Sequence, residues 1–211
     1  MSRYTYLCDP AEIYRRSFAL IEAATDLARF PRDMRALALR LAHAAGDTAI
    51  LDDLVWSPDA AAAGTRAFAA GAPILVDSAM VVAGIIAARL PAANPIVCVL
   101  GSPETAGIAR RLGTTRSAAA VELWRPQLAG AVVAIGNAPT ALFHLLEMIA
   151  AGAPKPALVL GFPVGFVGAA EAKVALAEFG DGLDFIALRG RRGGSALAAA
   201  AVNALAGEAG K

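Results

Sequence analysis

The stretch "AVVAIGNAPTALFHLLEMI", residues 131–149, joins a continuous apolar run to an apolar helix through one polar corner. Residues 131–135 have the length and the unbroken apolar character of a strand that is covered on both faces. The corner, residues 136–139, ends in a proline, which suits the first turn of a helix. A strand, a tight corner and a helix in this order form the unit of an α/β fold, and such corners commonly face a ligand.

Five further apolar runs alternate with helical segments: residues 53–56, 73–76, 95–100, 157–160 and 184–188. The alternation predicts a three-layer α/β fold, with a doubly wound, mostly parallel sheet between two layers of helices. "SPDA" and "SPET", which begin at Ser57 and Ser102, have the N-cap and proline that start a helix. We expect one domain, residues 1–211, whose ligand binds beyond the carboxyl ends of the strands.

Two predicted helices precede the alternating apolar runs and helical segments. Asp9 is a good N-cap, Pro10 suits the first helical position, and Glu12 can close a capping box, so a helix is expected from there to about residue 24. A second helix is expected over about residues 31–45, and Gly46 is a suitable residue to end it. These extra N-terminal helices could cover the site or form a dimer contact.

The composition excludes several classes of protein. Hydrophobic residues make up 57% of the 211 residues, charged residues make up 18%, and the net charge is +1. The chain has no global positive field for nucleic acid and no uniformly apolar run for a membrane span or a secretory signal. Cys8 and Cys98 fit neither a disulfide scaffold nor a zinc site. We expect a soluble, cytoplasmic protein that binds neither nucleic acid nor a membrane, and whose excess apolar surface forms a subunit interface.

The common catalytic and cofactor motifs are missing from the sequence. It contains no Walker motif, no G-x-G-x-x-G after the first strand, no G-x-S-x-G elbow and no cluster of metal ligands. "GRRGGS", residues 190–195, could cradle a phosphate or a carboxylate, or it could be a turn with solvated arginines. The basic residues are clustered locally, which suits a discrete anionic small molecule better than a polymer.

The two histidines have different settings. His144 lies in an almost wholly apolar helical stretch, so it is expected to be a packed histidine that touches Met148 or a neighbouring strand. His43 lies in the last predicted turn before Gly46, where the negative end of the helix dipole favours a protonated imidazole. Such a histidine could donate a proton near neutral pH or could be purely structural.

Seven segments together resemble the precorrin-8X methylmutase family over nearly the whole chain. They are "DPAEIYRRSF", "LAHAAGD", "GAPILVDSAMV", "TTRSAAA", "IGNAPTALFHLLE", "GFPVGFVGAAEAK" and "GRRGGSALAAAAVNAL". The one departure is Ala172, where a small hydroxyl residue would be expected. The resemblance implies a flavodoxin-like homodimer with its sites near the subunit interface.

The resemblance also implies an activity and some of the residues that carry it. The family moves a methyl group between adjacent carbons of ring C in a tetrapyrrole, converting precorrin-8X to hydrogenobyrinate, a corrin. The proposed catalytic histidine of the family falls on His43, its substrate-binding serine falls on Ser17, and the arginine of "TTRS" is Arg116. A methyl migration within a conjugated macrocycle requires no cofactor and no metal, so we expect neither.

The chemistry of such a substrate predicts the rest of the site. Carboxylates around an apolar disc suit an apolar pocket with arginines and backbone amides at its rim. Asn137 could bond a peripheral group of the substrate or could hold its own turn as an Asx motif. The predicted substrate-binding residues are Ser17, Arg116, Ser117, Gly136, Asn137, Ala138, Thr140, Arg192 and Gly193.

We interpret the reaction as an acid-assisted 1,5-sigmatropic shift. His43 would protonate a ring nitrogen beside the migrating centre and later recover that proton. One alternative is the same reaction on cobalt-precorrin-8. A second is a non-catalytic corrin carrier, and a third is a small-ligand regulatory domain, which has only fold analogy behind it. The product could also pass directly to neighbouring pathway enzymes.

Overall fold

A six-stranded sheet forms the centre of the computed structural model, which describes residues 3–180 and 182–207. The strands are β1 Leu54–Trp56, β2 Ile74–Val76, β3 Ile96–Val97, β4 Val132–Ile135, β5 Leu158–Gly161 and β6 Phe185–Leu188. They lie in the order β1-β6-β5-β4-β2-β3, and only β1, which pairs with β6, is antiparallel to its neighbour. The predicted runs and the mostly parallel sheet are therefore confirmed. The third strand is shorter than predicted, because the Val99 carbonyl accepts from Ser102 and Thr105 in a turn.

Helices cover both faces of the sheet. They are α1 Pro10–Ala23, α2 Arg35–Ala45, α3 Ala60–Ala69, α4 Ala79–Gly84, α5 Pro103–Leu112, α6 Arg116–Glu122, α7 Pro139–Ala150, α8 Ala169–Glu178 and α9 Ser195–Leu205. On one face α2, α3, α4 and α9 share a hydrophobic core, and α1 packs on the outside of α2. On the other face α6, α7 and α8 share a second core, and α5 packs against α6. Within the described residues no helix has the length and hydropathy needed to cross a membrane.

The two N-terminal helices form as predicted, with local differences. The Asp9 side chain accepts from the Ala11 N–H and caps α1. Glu12 pairs with Arg15 at 2.6 Å and does not close a capping box. Helix α2 begins at Arg35 and not near residue 31, because residues 31–34 first form a hydrogen-bonded turn.

The two Ser-Pro signals have different outcomes. Ser102 caps α5 as predicted, since its side chain accepts from the Glu104 N–H. The prediction for Ser57 is wrong, because the residue before α3 is Asp59 and its side chain makes no capping bond. The Ser57 hydroxyl instead donates to the Asp184 carboxylate at 2.7 Å and accepts from the Phe185 N–H. It therefore joins the end of β1 to the start of β6.

The winding of the sheet reverses between β2 and β4. The chain passes from β2 outward to β3 and then returns to β4 on the other side of β2. The carboxyl ends of β2 and β4 therefore flank the position where α/β proteins of this architecture place a ligand.

Loops at the carboxyl edge of the sheet approach one another closely. A Cβ atom on Gly193 would lie 2.4 Å from the Phe162 carbonyl oxygen and 2.5 Å from that of Pro163. A Cβ atom on Gly136 would lie 2.7 Å from Ser195 Cα. These two predicted site residues are thus glycines because backbone packs against them.

We expect Gly193→Ala to lower the free energy of unfolding by about 1–3 kcal/mol, because backbone must move to admit the methyl group. Gly107→Ala is the matched control, since a Cβ atom there meets open space inside α5. The control should leave stability unchanged or raise it by up to about 1 kcal/mol. Urea denaturation measures both variants, and equal stabilities would contradict the close approach.

Candidate active site

His43 lies in the last turn of α2, and its imidazole is held by α1. Helix α2 ends at Gly46, whose φ of 64° is a left-handed conformation that glycine adopts without strain. Ser17 on α1 places its Oγ 2.9 Å from His43 Nδ1. The Phe18 ring stacks on the imidazole with a centroid distance of 5.1 Å. The ring is thus fixed at one nitrogen and one face, while Nε2 has no hydrogen-bond partner within the described part of the chain.

A cavity of about 410 Å³ has His43 and Ser17 in its wall. Apolar side chains and the end of α2 form most of the remaining wall. The full lining is Ser17, Leu20, Ile21, Ala42, His43, Gly46, Asp47 and Thr48. The two residues that the resemblance assigns to acid catalysis and to substrate binding therefore share one pocket.

A larger cavity of about 720 Å³ lies against α1, α2 and α9, and Arg40 is part of its wall. Arg40 donates from Nη2 to the Tyr14 hydroxyl at 2.6 Å, and its guanidinium lies 5.4 Å from the centroid of the Phe18 ring. Arg40 was not among the residues predicted from the sequence. Its signal is the spacing, since it lies three residues before His43 on the same helix face and is the only charged residue in residues 36–46.

Arg192, predicted as a rim residue, binds to the wall of the His43 pocket. Its guanidinium lies 3.1 Å from an Asp47 carboxylate oxygen and 2.6 Å from one of Asp53. The hydrogen bond with Asp53 and the nearby carboxylates raise the pKa of Arg192. The charge of this arginine is therefore already balanced within the chain, and its contact with a substrate stays a prediction. Arg191, its neighbour, lies over the Phe166 ring at 5.4 Å.

Lys173 on α8 joins two of the loops at the carboxyl edge. Its side chain is buried, and Nζ donates to the Pro163 carbonyl at 3.0 Å and to the Arg192 carbonyl at 2.6 Å. Burial lowers the pKa of Lys173 to about 8, although the charge of Asp53 opposes this shift. The sequence did not single out Lys173, because a lysine in a helix usually faces water.

Asp77 follows β2 and binds the corner that follows β4. Its carboxylate accepts from the N–H groups of Gly136, Asn137 and Ala138 at 2.9, 2.8 and 2.8 Å. Burial raises the pKa of Asp77, and the backbone hydrogen bonds oppose that shift. The three amides predicted to lie at a ligand-binding rim are thus engaged by a side chain of the protein itself.

Arg116, Ser117 and Thr140 lie together beside this corner. Arg116 begins α6 and donates from Nη2 to the Leu100 carbonyl at 2.8 Å. The Thr115 and Thr140 hydroxyls lie 2.8 Å apart and join the starts of α6 and α7. Arg116 and Thr140 are exposed and Ser117 is half-buried, so their side chains remain accessible to a ligand.

The predicted site residues form two groups. Ser17 and His43 belong to helices on one face of the sheet, whereas Arg116 and Thr140 belong to helices on the other face. The carboxyl-edge loops around Gly136 lie between the two groups. Within residues 3–180 and 182–207 no hydrogen bond joins the two groups.

His144 is half-buried, and its Nε2 lies 2.7 Å from a carboxylate oxygen of Glu122 on α6. Arg125 also pairs with Glu122, and these two partners lower the pKa of the Glu122 carboxyl, with Arg125 contributing most. The pair holds α7 against α6, which supports the interpretation of His144 as a structural residue. Among the described residues no group of three or more His, Cys, Asp or Glu side chains could hold a metal ion.

Comparison with known proteins gives one consistent result. A family model described as precorrin-8X methylmutase matches residues 12–208. Proteins named precorrin-8X methylmutase from Pseudomonas aeruginosa and from a Sinorhizobium species are 58% and 55% identical to the chain. The alignments cover 96% and 98% of this chain and 98% of each relative.

More distant and structural relatives agree. A protein named cobalt-precorrin-8 methylmutase from Priestia megaterium is 34% identical, over 93% of this chain and 87% of its own length. The crystal structure of a precorrin-8X methylmutase from Thermus thermophilus matches with a TM-score of 0.83 and 41% identity. That match covers 93% of this chain and 94% of the other.

Burial of the charged Lys173 side chain lowers the free energy of unfolding, and we expect this loss to be recovered at alkaline pH, where the side chain is neutral. Because its folded-state pKa of about 8 lies below the ordinary value of 10.5, the unfolded chain binds more protons between these pH values. The free energy of unfolding of the wild type should therefore rise relative to Lys173→Met from pH 8 to 10.5, by up to about 3 kcal/mol. Urea denaturation at several pH values measures the difference, and a constant difference across this range would contradict the prediction.

Proposed function

The chain belongs to the precorrin-8X methylmutase family, and on that basis we propose that it moves a methyl group between adjacent ring-C carbons of precorrin-8X to give hydrogenobyrinate. It is an isomerase, and we propose that His43 is its proton donor. The observation that carries the proposal is the contact of His43 Nδ1 with Ser17 Oγ, while Nε2 has no partner among the described residues and His43 lines a cavity.

The proton passes from His43 to the substrate and back. Nε2 donates to a ring nitrogen beside the migrating centre, which makes the conjugated system poorer in electrons and lowers the barrier to a 1,5-shift. The methyl group leaves one ring carbon and bonds to its neighbour, after which His43 recovers the proton. Nothing is gained or lost overall, so the reaction is an isomerisation and requires no co-reactant.

Ser17 and Phe18 hold the imidazole in position for this transfer. The Ser17 hydroxyl accepts from Nδ1–H when the imidazole is protonated, and it still accepts after Nε2 has given its proton to the substrate, because the remaining proton is on Nδ1. It can therefore remain bonded through the whole cycle. The stacked Phe18 ring limits rotation of the imidazole about its Cβ–Cγ bond. We propose that Ser17 acts by this orientation as well as by binding substrate.

The carboxylates of the substrate are proposed to bind to arginines at the edge of the apolar surface. Arg40 lies over Tyr14 and Phe18, one helical turn from His43, and presents its guanidinium beside an apolar wall. Arg116 is exposed at the start of α6, next to Thr115, whose hydroxyl contacts Thr140 at the start of α7. Guanidinium groups bind carboxylates through paired, charge-assisted hydrogen bonds, which suits both residues to this role.

We propose a homodimer in which the two groups of site residues serve one substrate molecule. Helix α1 has no buried residue in the single chain, and Tyr4, Tyr6 and Leu20 are more than 60% exposed. A second copy would cover this surface and could bring its Arg116 group to the His43 pocket. A single domain over residues 1–211, a cytoplasmic location and transfer of the product to neighbouring pathway enzymes are further proposals.

The mechanism favours the metal-free substrate. Protonation by His43 needs a ring nitrogen with a free lone pair, and in a cobalt complex the metal occupies those lone pairs. The relatives above 50% identity are named for precorrin-8X, while the relative at 34% is named for the cobalt complex. We therefore propose precorrin-8X as the substrate of this chain.

We expect His43→Ala to lower kcat by roughly 10²–10⁴-fold, the usual contribution of general acid catalysis, while the variant still binds hydrogenobyrinate. Absorbance follows both turnover and product binding. His144→Ala is the matched control, because it removes the other histidine and leaves the His43 pocket intact. Unchanged turnover in His43→Ala would remove this residue from the mechanism.

We expect the purified protein to convert many equivalents of precorrin-8X to the corrin chromophore at substoichiometric concentration. The cobalt complex should turn over more slowly under the same conditions. A spectral change that stops at one equivalent would instead indicate a corrin carrier. The absence of any change would contradict tetrapyrrole binding and leave a regulatory ligand domain as the alternative.

A further inference from the structure

We infer that Asp77 is a positioning residue of this enzyme: its carboxylate holds the corner after β4 in the shape that presents Asn137 and Thr140 to the substrate. The inference rests on the proposed function, since the substrate in question is the tetrapyrrole. Asp77 lies at the carboxyl end of β2, where the winding of the sheet reverses, and its exposed fraction is 1%.

The contacts of Asp77 are those of an anion-binding site that a side chain of the protein itself occupies. The three successive N–H groups of residues 136–138 converge on one carboxylate, with one bond to Oδ1 and two to Oδ2. Converging backbone amides of this kind bind phosphate or carboxylate groups in other proteins. Here Asp77 occupies the position, so a substrate carboxylate cannot use these amides and must bind to side chains around them.

Asp77 also fixes the backbone that leads into α7. The N-cap position of α7 is Ala138, whose side chain has no hydrogen-bond acceptor, and Pro139 has no N–H. A capping side chain would accept from the second or third residue of the helix, whereas Asp77 accepts from the N–H groups of residues 136–138 and so holds the backbone that precedes α7. Thr140 follows in the first turn, and its hydroxyl bond to Thr115 continues the arrangement to the start of α6.

This arrangement leaves the Asn137 side chain free for a ligand. An Asx turn would need the N–H of the residue two positions on, and that residue is Pro139. The corner is held by Asp77 instead, and the exposed Asn137 side chain has no hydrogen-bond partner among residues 3–180 and 182–207. The side chain of Asn137 is thus positioned through its backbone N–H and not through its own amide.

The test compares Asp77→Ala with the wild type. We expect KM for precorrin-8X to rise and the affinity for hydrogenobyrinate to fall by roughly tenfold or more, because the corner loses its bonds to a charged group. The kcat value should stay within about threefold, since His43 is held by α1 and Phe18 on the other face of the sheet. Sodium formate should restore part of the affinity by placing a carboxylate in the space that Asp77 leaves, while sodium chloride at equal ionic strength should not.

Ser57→Ala is the control for a merely structural role. It removes hydrogen bonds between β1 and β6 at the amino end of β6, far from the corner. It should lower Tm with KM unchanged and with no response to formate. If Asp77→Ala behaves in the same way, the positioning role is overturned. It is also overturned if formate raises Tm of Asp77→Ala but leaves KM unrestored.

Asp77→Asn keeps the experiment decisive if the alanine variant does not fold. The amide has the shape of the carboxylate but can accept at only one of its two positions, so KM should rise above the wild-type value. A wild-type KM in Asp77→Asn would overturn the inference. The effect of formate on the Tm of Asp77→Ala is measured without substrate, so it tests separately whether the N–H groups of residues 136–138 bind a carboxylate. A wild type without turnover would contradict the proposed function alone.

Discussion

The arrangement of the carboxyl edge depends on one buried carboxylate, that of Asp77. Where the winding of a parallel sheet reverses, the ends of two adjacent strands diverge and leave backbone N–H groups without strand partners. Asp77 satisfies three such groups on residues 136–138. Burial of a carboxylate is costly and raises its pKa, and the hydrogen bonds offset part of that cost. The loss of either partner would leave buried polar groups unpaired, so the corner and the carboxylate fix each other.

The same principle operates along the rest of the edge. In a chain with so few charged residues, single polar side chains hold whole loops together. Lys173 donates to two carbonyl groups in the loops after β5 and β6, and one of these belongs to Arg192. The Arg192 guanidinium in turn binds Asp47, which lines the His43 pocket. The shape of that pocket therefore depends on contacts that begin on the far helix layer.

Sequence patterns predicted the features that are determined locally. Six apolar runs, the Asp9 cap and the Gly46 helix end depend on neighbours within a few residues, and the structure confirms them. Ser57 was predicted wrongly because its partner, Asp184, lies 127 residues away in sequence. The partners of Asp77 were not predicted for the same reason, since the backbone groups that it binds have no signature in the residue types. Contacts between residues so far apart follow from the order of the strands in the sheet. The alternation of strands and helices along the sequence does not determine that order.

The division of the predicted site between two faces has a structural origin. Asn137 and Arg116 belong to the edge of the sheet, where the architecture itself supplies rigid corners. His43 lies on α2, one of the two helices that precede the alternating strands and helices. Its contacts are with α1 and not with the sheet. Helix α1 has no buried residue in the single chain and packs there against α2. In the proposed homodimer a second copy would cover α1, so the acid and the dimer contact would depend on the same helix.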